Sequence, residues 1–126
     1  MAKILVVDDE RDITTLIKFL LEKDGHEVTE AFNGKEALEI LGVEPRADGM
    51  VPDIMVLDVM MPLVDGYTVA QKVSESDRHK AMPIIVLSAK GQMKELFQMA
   101  ENVASFLDKP FDPKMLKSMI DSVLKK

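Results

Sequence analysis

The stretch KILVVDD, Lys3–Asp9, decides how the rest of the chain is read. Ile4 to Val7 form a short apolar run with charge on both sides and no alternation of apolar and polar residues. Such a run predicts a strand covered on both faces, because a half-exposed strand would alternate. A doubly covered strand in turn calls for helices above and below it. Asp8 and Asp9 mark the point where the strand leaves the interior.

Outward from this strand the same pattern recurs. Ile13, Leu16, Ile17, Leu20 and Leu21 fall at helical spacing and predict a first helix with that stripe buried, stopped at Gly25. HEVTEA, His26–Ala31, is a weaker second strand. NGKEALEIL opens on Asn33, a turn or cap signal, and continues as a short helix. DIMVL, Asp53–Leu57, is the third strand, and a third helix is expected from Asp65 to about Glu75 with Val69, Ala70 and Val73 on its apolar side. MPIIVLS, Met82–Ser88, is the fourth and most apolar strand. A fourth helix over Met93–Ala100, a short strand over Ser105–Leu107 and a last helix from Pro113 complete the series. In the last helix Met115, Leu116, Met119, Ile120, Val123 and Leu124 are expected to be buried, Pro113 suits the first turn, and Lys125 and Lys126 suit the negative end.

Five strands alternating with five helices predict an α/β protein with a doubly wound parallel sheet, since each parallel crossover needs a connection about as long as a helix. Gly42–Pro52, the longest irregular piece, reads as a plain solvent loop. Without a repeat or an interdomain linker, residues 1–126 are expected to form one domain.

Composition narrows the function. With 47% hydrophobic and 30% charged residues the chain is of globular type, and no run approaches the roughly 18 apolar residues of a membrane span. No signal-peptide pattern precedes Lys3. The absence of cysteine removes disulfides and thiolate metal sites and fits a cytoplasmic setting. A net charge of -6 and a pI near 4.9 disfavour phosphate-driven nucleic-acid binding. Proteins, small phosphates and cations are the expected partners, with no direct nucleic-acid or membrane contact.

In open parallel sheets ligands sit beyond the carboxyl ends of the strands. The first strand ends in Asp8 and Asp9, the third in Asp58, the fourth in Ser88 and the fifth in Asp108 and Lys109, whereas the second ends in no obvious functional group. Each has an ordinary use: Asp9 could cap the first helix, Asp58 or Ser88 could shape a turn, and Lys109 could be solvated. Their arrival together at equivalent ends favours a site. Three nearby carboxylates repel, and a hard divalent cation such as Mg²⁺ relieves them. A carboxylate beside that cation can act as a nucleophile towards phosphorus and form an aspartyl phosphate. Lys109 would then offset charge on the phosphoryl oxygens and Ser88 would donate a hydrogen bond to one of them.

ILVVDDE (Ile4–Glu10), VLDVMMP (Val56–Pro62) followed by DGY, IIVLSAK (Ile84–Lys90) and FLDKPF (Phe106–Phe111) resemble, in this order and over nearly the whole chain, the successive signatures of a response-regulator receiver domain of two-component signalling. The likeness is to the single-domain, chemotaxis-regulator type. It implies a flavodoxin-like sheet of strand order 2-1-3-4-5, with Asp58 as phospho-acceptor. It also implies Mg²⁺ ligands from Asp9, Asp58 and the Met60 backbone carbonyl, with Asp8 acting in the acidic pocket largely through water or orientation. Ser88 matches the switch hydroxyl, Lys109 the pocket lysine and Phe106 the aromatic whose rotamer follows phosphorylation, and Lys109–Pro110 is expected to be cis. Pro62 and Gly66 would shape the turn after Asp58. The implied function is phosphorelay signalling: a phosphoryl group comes from a sensor histidine kinase or histidine phosphotransfer protein, and a downstream target protein responds. Such a chain is a signalling phospho-acceptor that promotes its own phosphoryl transfer and slow autodephosphorylation, not a stand-alone enzyme. Movement of Ser88 and Phe106 would bias a partner-binding face formed by the helix over Met93–Ala100, the fifth strand and the last helix.

The chain departs from the family pattern in places. Phe106 lacks a phenol hydroxyl, so it can swing but not donate a hydrogen bond. MAENVASF, Met99–Phe106, lacks a Gly-Ala-Asp run and is about one residue short, and the Gly42–Pro52 loop is longer than usual. Met60 and Lys90 border the pocket and would adjust phosphoryl lifetime. A haloacid-dehalogenase-type phosphatase would want a second acid where Met60 stands. A flavodoxin-like redox carrier would need a phosphate-cradling loop where DDERD, Asp8–Asp12, repels phosphate. A degenerate receiver that only binds partners conflicts with the intact pocket. With Met1 opening the chain and no output segment after the last helix, a stand-alone regulator is expected.

Overall fold

The computed structural model describes residues 2–43, 49–59, 61, 64–89, 103–109 and 111–125. In chain order its elements are β1 (Lys3–Val7), α1 (Arg11–Lys23), β2 (Glu27–Ala31), α2 (Gly34–Leu41), β3 (Ile54–Asp58), α3 (Gly66–Ser74), β4 (Ile84–Ala89), β5 (Val103–Lys109) and α4 (Pro113–Leu124). The apolar runs β1, β3 and β4 form the middle of the sheet, and the mixed runs β2 and β5 form its edges. All neighbours are parallel, in the expected order β2-β1-β3-β4-β5.

Alternate side chains of the central strands feed two separate cores, as the two-residue period of a strand requires. Ile4, Val6, Ile54, Val56, Ile85 and Leu87 cluster with Ile17 and Leu21 of α1 and with Leu116 and Ile120 of α4. Leu5, Val7, Met55, Leu57, Ile84 and Val86 cluster with Ala37, Leu38 and Leu41 of α2 and with Val69, Ala70 and Val73 of α3. Each Val, Leu, Ile or Met side chain among them, fully buried, contributes about 1.5–3 kcal/mol relative to exposure. These layers hold the strand ends rigidly, and the site depends on them.

Local signals place the helices. Asn33 Oδ1 accepts from the Glu36 N–H at 2.8 Å while Glu36 Oε1 accepts from the Phe32 N–H at 3.0 Å, a reciprocal arrangement close to a capping box. Asp65 and Asp112 cap α3 and α4 through the N–H groups of Thr68 and Lys114. Gly25, with φ at 90°, ends α1 in a conformation that a side chain would resist. His79 is buried, and its Nε2 lies 2.9 Å from the Met50 carbonyl and its Nδ1 2.8 Å from Ser76 Oγ. A carbonyl only accepts, so Nε2 carries the proton and ties the segment before β3 to the end of α3.

Several expectations are corrected. The ordinary use open to Asp9, capping α1, is not taken up: Glu10 holds the cap position, with no side-chain cap hydrogen bond among the described residues. β3 runs one residue further than expected, so Asp58 belongs to the strand, and β5 extends beyond Ser105–Leu107 at both ends. Among the described residues β5 pairs on one side only, and its register shifts opposite Ile84 and Ile85, leaving Ala104 as an extra residue, which breaks the alternation a sequence reading relies on. Leu16 and Met115 are 44% and 55% exposed. The buried line of α1 runs through Thr14, Ile17 and Leu21 and that of α4 through Leu116 and Ile120, each one helical step away from those two residues. Among the described residues there are four helices. The helix expected over Met93–Ala100, Met60, Pro62, Lys90, the Lys109–Pro110 peptide and residues 44–48 of the long loop lie outside the described residues. No helix among the described residues is long and apolar enough to cross a membrane.

Candidate functional site

With β1 flanked by β2 and β3, the chain turns to opposite sides of β1, and the crevice left at that reversal opens beyond the carboxyl ends of β1 and β3. Val7 pairs with Leu57. Asp8 and Asp58, each the next residue, therefore stand side by side at the crevice. Asp8 has no exposed surface and Asp58 is 6% exposed. Lys109, the last residue of β5, reaches across: its Nζ donates to Asp8 Oδ2 at 2.9 Å and to Asp58 Oδ1 at 3.1 Å. Glu10 Oε1 accepts from the same ammonium at 3.4 Å.

The turn after β3 closes tightly on its strand. The Gly66 N–H donates to the Val59 carbonyl at 2.7 Å, and a Cβ on Gly66 would run into the Asp58 carbonyl oxygen. Only glycine lets the start of α3 approach Asp58 this closely. The expectation that Gly66 shapes this turn thus has a steric cause.

Charge at the site is unbalanced. Burial, and then the negative charge of Asp8, push the Asp58 carboxyl up to about 6, with Lys109 opposing. Burial likewise holds Asp8 above its ordinary value despite its hydrogen bond from Lys109. Burial alone would lower Lys109, but its bonds to Asp8 and Asp58 outweigh this and raise it. Among the described residues one lysine therefore serves more acid than it neutralises. The carboxylate oxygens of Asp8, Asp9 and Glu10 also lie within 4.8 Å of one another. An all-oxygen, acidic donor set with surplus negative charge fits a hard cation such as Mg²⁺.

Of the residues singled out in the sequence, Asp8, Asp58 and Lys109 are in direct contact and Asp9 stands beside them. Ser88, buried in β4, follows Leu87, the register partner of Asp58, and its hydroxyl donates to Asp108 Oδ1 at 2.8 Å. Phe106 packs, half-buried, against the α2 and α3 core. Sequence reasoning missed the contact of Glu10 with Lys109, the pairing of Ser88 with Asp108, and Arg11, whose guanidinium lies 3.9 Å from the centre of the Phe32 ring. Glu10 had a signal, as a third acid next to Asp8 and Asp9. Asp108 required the β4–β5 register, which the extra residue in β5 hides.

Comparison with known proteins agrees with this geometry. A family model described as the response regulator receiver domain matches residues 4–121. The probable transcriptional regulator ycf27 of Porphyra purpurea is 44% identical over 126 residues, covering 98% of this chain and 48% of that protein. The chain spans about half the length of the curated relatives it matches. The solved structure of chemotaxis response regulator CheY4 of Vibrio cholerae matches with a TM-score of 0.85 at 29% identity, over 98% of both chains. The receiver domain of sensor histidine kinase PA1611 from Pseudomonas aeruginosa, solved with a magnesium ion coordinated in its active-site cleft, shares the fold with a TM-score of 0.82 at 22% identity, over 99% of this chain and 98% of that one.

Proposed function

This chain belongs to the response-regulator receiver domain family of two-component systems, and we propose that residues 1–126 act as one receiver domain whose Asp58 accepts a phosphoryl group. The observation that carries this reading is a buried carboxylate at the end of a central strand, bridged by Lys109 to Asp8 and facing an acidic cluster. The donor would be a sensor histidine kinase or a histidine phosphotransfer protein, in the cytoplasm, and the receiver of the signal a downstream target protein.

An Asp58 carboxylate oxygen would form the new bond to phosphorus as the bond from phosphorus to the donor atom breaks, the electron pair leaving with the donor. Asp58 titrates at about 6, so it is mostly ionised and nucleophilic at neutral pH. Lys109 would move its hydrogen bond from the carboxylate to a phosphoryl oxygen, neutralising charge where it develops. Asp9, Asp58 and the Met60 carbonyl would hold Mg²⁺, with Asp8 orienting its water. The ion would supply charge neutralisation at the phosphoryl oxygens. Ser88 and Phe106 would carry the switch, and later attack of water on phosphorus would break its bond to the Asp58 oxygen, releasing inorganic phosphate and slowly returning the free carboxylate.

Intact mass after incubation with acetyl phosphate and Mg²⁺ tests the acceptor. A phosphoryl-sized gain is expected in the wild type, labile to base and absent with EDTA or in Asp58→Asn. The same gain in Asp58→Asn would move the acceptor to another residue. No gain from acetyl phosphate or phosphoramidate would remove the small-donor chemistry from this site.

A further inference from the structure

We propose that Asp108 is a positioning residue that holds Ser88 in the resting state and so opposes the phosphoryl-bound state of the site. The proposal rests on the acceptor reading above and adds a regulatory residue to it. Ser88 is 1% exposed, and its hydroxyl donates to Asp108 Oδ1 at 2.8 Å. The β4–β5 register sets the two residues directly opposite each other, with Val86 opposite Phe106 one step earlier on the same row. The bond therefore closes the end of the row that contains Phe106.

A hydroxyl carries a single hydrogen. While Ser88 gives it to Asp108, none is left for a phosphoryl oxygen on Asp58, whose register partner Leu87 immediately precedes Ser88. The acceptor is a carboxylate, so the bond is charge-assisted and stronger than a bond between neutral groups. Engagement of a phosphoryl group by Ser88 must first break it. Release would also free the position beside Phe106, so one bond links the hydroxyl and the aromatic ring of the switch.

A bond that merely fastened two strand ends would affect stability and leave ligand affinity unchanged. A resting-state latch has the opposite signature, because removing it favours the state in which Ser88 faces the ligand. Beryllofluoride with Mg²⁺, a tetrahedral mimic of an aspartyl phosphoryl group, is the probe. Its affinity is to be measured by titration calorimetry for the wild type, Asp108→Ala, Asp108→Asn and Ser88→Ala, and for the double variant Ser88→Ala/Asp108→Ala, each checked by thermal unfolding. Asp108→Ala is expected to bind about tenfold more tightly than wild type, as loss of one charge-assisted bond to the resting state implies. Asp108→Asn, which keeps the shape and loses the charge, should fall between them and serves if the alanine variant does not fold. In the Ser88→Ala background the Asp108 substitution should have no effect, since a coupling through one bond vanishes with either partner. Unchanged or weaker binding by folded Asp108→Ala and Asp108→Asn would overturn the latch while wild-type binding leaves the acceptor reading standing. Equal effects of Asp108→Ala with and without Ser88 would also overturn it. No beryllofluoride binding by the wild type would overturn the acceptor reading and the latch with it.

Discussion

The two edges of the sheet carry similar residues and use them differently. At the amino edge the Ala2 N–H donates to His26 Nδ1 at 3.1 Å and the Lys3 N–H donates to Asp53 Oδ2 at 2.8 Å. Asp53 is exposed and meets a backbone group, which asks nothing of its charge that water does not also supply. At the carboxyl edge Asp8 and Asp58 are buried, adjacent and joined through one ammonium. An aspartate at a strand end is therefore not in itself a sign of function. What separates the edges is burial together with uncompensated like charge, and three substitutions probe that difference.

Removing the cation should have the largest effect. Lys109 is the group that holds Asp8 and Asp58 together, with its side chain 17% exposed. Breaking a buried pair by deleting one partner costs about 3–5 kcal/mol. In Lys109→Met the stranded carboxyls can escape part of that cost by taking up protons. Their folded values would then lie further above the unfolded ones, so stability must fall as pH rises through the gap. Urea unfolding without metal is expected to show the variant about 3 kcal/mol below wild type at pH 8, with the deficit shrinking by pH 5. Coincident unfolding curves at pH 8 would mean that the lysine is not the counter-charge of this edge.

Removing an acid from the same edge should act in the opposite direction. Asp58 titrates at about 6 when folded against an ordinary 3.8. Between those values the folded chain holds a proton that the unfolded chain has released, so wild-type stability declines as pH rises across the window. Well above pH 6 the ionised carboxylate carries the full penalty, on the order of 3 kcal/mol. Asp58→Asn should therefore be more stable than wild type by that order at pH 8 in EDTA, and no more stable at pH 4. Saturating Mg²⁺ should stabilise the wild type by ligand linkage and the variant less, narrowing or reversing the difference. A variant less stable than wild type in EDTA at pH 8 would contradict the charge balance described for the site.

How much of this was legible in the sequence follows from the same contrast. The central strands β1, β3 and β4 are covered on both faces, so Ile4–Val7, Ile54–Leu57 and Ile84–Leu87 read as unbroken apolar runs and fixed the parallel class. The site acids follow those runs directly, which is why Asp8 and Asp58 were found before any contact was known. β5 was legible only in part, because an edge strand mixes exposed and buried positions and Ala104 shifts its alternation. The partner of Ser88 depends on that register, so Asp108 received no role from sequence, whereas Glu10 had a signal beside Asp8 and Asp9 and was left without a role. Leu16 and Met115 were misplaced for a related reason: helical spacing gives a stripe, while the width of that stripe is set by what the helix rests on. The family resemblance supplied the order of the motifs and Asp58 as the proposed acceptor, and it carried no information about the Ser88–Asp108 bond.

The smallest effect is expected at the amino edge. Asp53→Ala removes one acceptor, that of the Lys3 N–H, and an exposed backbone N–H can turn to water instead. The loss should be no more than about 1 kcal/mol. Amide exchange at Lys3 should quicken, because that N–H loses its Asp53 acceptor, while the response to Mg²⁺ and beryllofluoride stays at the wild-type level. The second half of this expectation is the sharper one. Asp53 opens the approach to the strand that Asp58 closes, so a change in ligand response would mean that charge at one end of β3 is felt at the other. The buried apolar residues Ile54 to Leu57 that separate them offer no polar path for it. With ligand response unchanged, the site is confined to the carboxyl edge, and the two aspartates of one strand differ in role because they differ in burial.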